Sequence, residues 1–208
     1  MLGVGYFLPV RWDDLFDDLE GQLDRALSSA AADLSLQAER QRLEKLSLRT
    51  RISNVLRSAG VGGALQIRVV LVTGETLTLR PTTLGLDWLA ADLPGAANNP
   101  VECVIPLSAV AGVLLTEQQS QASLAIESEA AGRQTERVGF PFVLSSLCRR
   151  RRTVELHTKG GVLIGTIDRV ARDHLDLAVH PLGTLRRTPD VLHYNLVPFW
   201  QIHIVRLH

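Results

Sequence analysis

Four consecutive arginines, Arg149, Arg150, Arg151 and Arg152, form the densest run of cations in the chain, and Lys159, Arg169, Arg172, Arg186 and Arg187 follow them. A guanidinium group grips phosphate through parallel N–H donors and also stacks on flat π faces. His157, His174, Tyr194 and Trp200 occur in the same region and offer such faces. These residue types suit RNA or another nucleic acid, bound through phosphates and stacking. Other chemistries find less material. His174 and Asp176 stand two apart on an expected strand and point the same way, with His180 nearby. They have no cysteine partner and no helical histidine pair, so no metal is expected. Cys103 and Cys148 lie far apart and read as reduced thiols of a cytoplasmic protein. There is no phosphate loop, no Gly-x-Ser-x-Gly elbow, and no paired-carboxylate or Cys/His arrangement. The expectation is a protein that is not an enzyme and carries no cofactor.

The distribution of charge supports a polyanion at one end of the chain. The 208 residues sum to zero, with 22 acidic and 22 basic side chains. Counted by segment, the sum is about −1 for residues 1–64, about −5 for 65–130 and about +6 for 131–208. All six histidines also lie in the last segment. The apolar start MLGVGYFLPV has no basic flank and falls far short of the ~20 residues that span a bilayer, so no leader and no membrane are expected.

Residues 1–60 read as a helical segment that positions the rest. Trp12, Leu15, Phe16, Leu19, Leu23 and Leu27 follow the spacing of one helix face, and a heptad continues through Leu27, Leu34, Gln41, Leu48 and Val55, flanked by Ala31, Ala38 and Ile52. Acidic residues crowd the first turns and basic ones the last, as the macrodipole favours. An unbroken helix of ~45 residues would extend ~68 Å. It either breaks near Ser28-Ser29 or Ser47 into a hairpin, or pairs with another copy. Leu27, Leu34, Leu48, Ile52 and Val55 are the expected self-association residues, and a homo-oligomer is expected.

Beyond Gly60–Gly63 the chain turns to short alternating strands. Residues 61–116 read as a first, acidic β unit with a hairpin turn at Thr73-Gly74-Glu75. Residues 117–139 read as a linker or peripheral hairpin. Residues 140–208 read as a helix, FPFVLSSLC, and a second, basic β unit. The two β runs repeat each other. Placing Gly74 on Gly160 brings Gly85–Leu89 onto Ala171–Leu175, Pro106-Leu107 onto Pro198-Phe199 and Val110 onto Ile202. Trp88 and Trp200 alternate with apolar neighbours and read as core residues.

The stretch VELHTKGGVLIGTIDRVARDHLDLAV resembles the first motif of the Sm-like (LSm) family, to which the bacterial host-factor RNA chaperones belong. Gly160, Leu163, Gly165 and Ile167 match that motif in spacing, and Val170 continues it. A mid-strand glycine such as Gly165 permits a sharp bend. The chain departs from the family in three places. Ala171 stands where the family has Asp, Asp176 where it has a base-reading Asn, and the second motif, a basic residue followed by Gly, is lacking in LVPFWQIHIVRL. The resemblance implies small barrels, and with the helical segment the expected fold is α+β, mainly β: two small Sm-like or SH3-like barrels preceded by a long N-terminal helix or helical hairpin. The function it implies is non-catalytic RNA binding by the basic C-terminal barrel. Arg149, Arg150, Arg151, Arg152, Lys159, Arg169, Arg172, His174, Asp176, Arg186 and Arg187 would make the contact. The alternative is a cytoplasmic protein–protein scaffold or adaptor with no nucleic-acid role.

Overall fold

The computed structural model describes residues 12–58, 65–95, 100–126, 137–183 and 190–207. The helical segment divides. Helix α1 spans Trp12–Glu44 and α2 spans Leu48–Ser58, and the chain splits into two units between Leu46 and Ser47. The break has a local cause: Ser47 Oγ accepts from Thr50 N at 3.0 Å and so caps α2. In α1, Leu23, Leu27 and Leu34 are exposed, and Glu39 pairs with Arg42 at 2.6 Å.

The second unit is built on strands β1 (Ile67–Leu71), β2 (Thr76–Leu84), β3 (Trp88–Leu93), β4 (Val101–Pro106) and β5 (Val110–Leu114), followed by β6 (Thr153–Thr158), β7 (Gly161–Val170), β8 (His174–Val179), β9 (His193–Pro198) and β10 (Ile202–Leu207). Helix α3 (Glu117–Ser123) occupies part of the expected linker, opened by a capping box on Thr116. Helix α4 (Phe140–Arg149) stands where FPFVLSSLC was expected to be helical. Its first turn is anchored by Asp87, whose Oδ1 accepts from Phe140 N at 2.7 Å.

The two-barrel expectation is corrected here. The strands form one open antiparallel sheet of ten, in the order β5-β1-β2-β3-β4-β10-β6-β7-β8-β9. The join is β4 against β10, with Val104 opposite Val205 and Cys103 opposite Arg206. Each half has its own strand pattern, but the pattern does not say which edges meet. An unpaired edge leaves a row of backbone donors and acceptors, and the β4–β10 seam removes two such edges within one chain.

The expectation of a long N-terminal helix is corrected with it. Helix α2 belongs to the sheet, because Ile52 and Val55 are buried among Ile67, Val69, Leu79 and Ile105. Those two side chains are core, not self-association residues, whereas Leu48 is 43% exposed. The basic end of the expected helix is tied down too: Arg49 Nε donates to Gly85 O at 2.8 Å and Arg51 Nη2 to Ser123 Oγ at 2.8 Å. In the second half, Phe140 and Leu144 of α4 cover Val154, Leu156, Ile167, Leu175 and Leu177. The two cores interlock across the seam. Trp88 and Val104 of the first half pack into the second core, and Ile204 of β10 packs into the first.

Candidate nucleic-acid interface

Arg149, Arg150, Arg151 and Arg152 lie at the C-terminal end of α4 and are all exposed. They do not form one continuous strip, because the helix ends among them. The guanidinium of Arg149 sits 5.7 Å from the centroid of the Phe142 ring, itself exposed, in cation–π range. Arg150 is the C-cap, still in helical conformation, and its backbone N donates to Ser146 O at 3.1 Å. The expected phosphate-binding role of Arg150 therefore falls to its side chain alone, since its backbone donor is used by the helix. Arg151 has φ 53, in the left-handed region where glycine is the usual helix-ending residue. Its Nη1 pairs with Asp168 Oδ1 at 3.3 Å. Arg152 N turns back to Leu147 O at 3.4 Å and leads into β6. Arg169 is splayed to solvent, with Nη1 3.9 Å from Asp176 Oδ2. Asp176 therefore faces an arginine.

A second group gathers around the N-terminal turn of α4, where Phe140 and Pro141 stand beside Phe199 and Trp200. Its centre is the tight turn Phe199–Gln201 between β9 and β10. Lys159 N donates to Gln201 O at 3.3 Å, which brings its Nζ 5.4 Å from the centroid of the Trp200 ring. Phe199 N donates to Asp173 O at 2.9 Å, which holds the β7–β8 turn with Arg172 and His174 against the same corner. Asp173 Oδ1 lies 2.8 Å from His174 Nδ1. A cleft beside Trp200 is lined by Asp87, Ser108, Phe140, Pro141 and Phe199.

Of the cations expected from sequence, Arg149 thus stands over Phe142, Arg169 beside Asp176 and Lys159 over Trp200. Arg186 and Arg187 lie outside the described residues. Of the expected stacking faces, His157 is bound to Glu155, which also accepts from Arg206, while Tyr194 is exposed on β9. His180 is buried, with Nε2 on Thr166 Oγ1 and Nδ1 on Pro181 O, so it does not join His174 and Asp176. Among the described residues no cluster of three or more His, Cys, Asp or Glu side chains could hold a metal.

The core reading of the tryptophans is half corrected. Trp88 is buried and its Nε1 donates to Val138 O at 2.8 Å, but Trp200 is 65% exposed. The repeat carried the signal for this. Trp200 falls on Ser108, an exposed polar position of the first half. A nearby histidine, His203, is buried with neither ring nitrogen partnered among the described residues. Burial first, then the charge of Lys159 and the neighbouring His157, holds its pKa below the usual imidazole value. Among the described residues no helix is long and apolar enough to cross a membrane. No family model, curated protein or solved structure matches the chain.

Proposed function

We propose that the chain is a non-catalytic binder of single-stranded nucleic acid, with RNA the favoured form. The observation that carries this reading is the pairing of Trp200, 65% exposed, with Lys159 at 5.4 Å. A bare indole stacks on any base, and a cation beside it meets the adjoining phosphate. Arg149, with its guanidinium over exposed Phe142, repeats that combination on α4, with exposed Arg150 next to it. Arg151 adds weight, since an arginine stands at a backbone conformation that favours glycine. A resemblance to Sm-like proteins points to the same ligand class, with stacking on Trp200 in place of the missing base-reading Asn.

The test is anisotropy of a fluorescent single-stranded RNA, titrated with the full chain across a salt series. Each phosphate neutralised contributes about −0.7 to the slope of log affinity on log salt, so contacts from Arg149, Arg150, Arg151, Arg152 and Lys159 give a slope of about −3.5. Trp200→Ala weakens binding about tenfold with the slope kept, because one stacked base is worth roughly 1–3 kcal/mol. Replacing the four arginines by serine removes most of the slope. Absence of binding at low salt overturns the reading. It would leave the scaffold alternative, which the exposed Leu23, Leu27 and Leu34 of α1 support.

A further inference from the structure

Helix α1 spans 33 residues, about 50 Å at 1.5 Å per residue. At about 100° per residue, Leu19, Leu23, Leu27 and Leu34 fall within a quarter turn of one another, and all four are exposed. Leu36 and Leu43, also exposed, lie on the opposite side. A helix of this kind draws most of its stability from covering its apolar stripe, not from propensity. The spacing is that of a two-stranded coil, with positions 20, 27, 34 and 41 in one column and 16, 23, 30 and 37 in the other. We infer that α1 pairs antiparallel with α1 of a second copy, the first half of each helix lying along the last half of the other.

Charge sets the direction. Residues 12–28 hold six acids and one arginine, about −5, whereas 29–45 hold three acids and three bases and balance. A parallel pair would lay about −5 along about −5. An antiparallel pair lays that acidic half along a neutral one that ends in Arg40, Arg42 and Lys45, and it opposes the two macrodipoles as well.

The stripe fits the same arrangement. Reversing α1 about the point between Ser28 and Ser29, the point that divides the charge, lays each heptad column on the other. Leu23 then meets Leu34 of the second copy, and Leu27 meets position 30, with nearly the whole length of α1 in contact. Stripe and charge therefore complement themselves under a two-fold axis. A surface that pairs with itself closes at two copies, which makes a second copy of this chain the occupant rather than an unrelated helix.

The test uses the full chain. By sedimentation velocity the wild type runs at twice its monomer mass of 22.8 kDa. Leu27→Lys with Leu34→Lys runs as the monomer, whereas Leu36→Lys, on the opposite side of α1, stays a dimer. The double variant keeps the urea midpoint of the sheet, because its changes lie in the other unit of the chain. Direction is read by pulsed electron resonance from a nitroxide on Leu43→Cys in a Cys148→Ser background, where buried Cys103 stays unlabelled. Antiparallel helices hold the two labels about 45 Å apart along the axis. Parallel helices hold them within about 25 Å. A monomeric wild type overturns the inference, and so does a dimer that survives the double lysine variant. A distance in the shorter range overturns the antiparallel direction, and with it the part given to charge.

Discussion

The two halves of the sheet shift register at the same point of the repeat, between Pro81 and Thr83 in the first and between Ile167 and Arg169 in the second. Around that shared bend they solve the packing differently. The second half places Gly165 in β7, where a Cβ would lie 2.2 Å from the carbonyl oxygen of Ala178 on β8. The equivalent residue of the first half is Leu79, fully buried. At the next turn the roles reverse. Gly85 lies under the Trp88 indole, with a Cβ 2.1 Å from its Nε1, whereas the second half has exposed Ala171 and no tryptophan to cover it. One topology therefore tolerates different residues wherever the neighbouring surface differs, and each half is specialised by what lies over it.

Gly165→Ala is expected to break this comparison most severely. Its Cβ meets backbone that cannot turn aside, so the cost is about 3 kcal/mol or more, read as a lowered urea midpoint. Gly85→Ala meets a side chain, and the indole yields by giving up its bond to Val138 O, at about 1–3 kcal/mol. Equal losses at the two positions would show that the close approach in β7 is not special.

A smaller effect separates the two bulges. In β10 the residue skipped by the pairing is His203, buried, and in β5 it is Ala111, exposed. The folded chain holds His203 below its unfolded value of 6.5, so the unfolded state binds the extra proton first. Stability is complete above that pH and declines as pH falls below it toward the folded value. His203→Ala, which copies the first half, flattens this part of the curve. A wild-type curve already parallel to that of the variant between about pH 5 and 7 would remove the buried imidazole from the account.

The smallest expected effect concerns the seam. Cys103 lies on β4 where β10 covers it, and burial pushes its thiol up to about 12. Cys148, at the end of α4, is half-buried and its Sγ–H donates to Asp168 O. Iodoacetamide at about pH 8 should alkylate Cys148 first and leave Cys103 protected until the chain unfolds, a difference of at least about tenfold in rate. Early labelling of Cys103, followed by mass spectrometry, would mean that the seam opens readily.

Much of the architecture is legible in the chain itself. Alternation in TVELHT marks β6, the Thr73-Gly74 and Gly160-Gly161 turns mark two hairpins, and the Pro106 and Pro198 correspondence marks the repeat. These signals are local, written in periods of two and in residues that tolerate positive φ. The placement of α2 is not written so. Ile52 and Val55 continue the heptad of α1 in sequence, yet they are core because the sheet presents Ile67 and Val69 to them. The run of four arginines is plain in the sequence, but its parting into a capping Arg150, an ion-paired Arg151 and an Arg149 over a ring is not. The approach of Lys159 to Trp200, and the exposure of Trp200, are equally non-local.

Strands, turns, the repeat and the uneven charge follow from the order of residues, because each depends on neighbours along the chain. That the halves share one sheet, which edges are left over, and which aromatic faces solvent were settled by packing in three dimensions. Those outcomes depend on pairings between residues far apart in sequence, where many edge-to-edge arrangements satisfy the same local pattern and packing selects one.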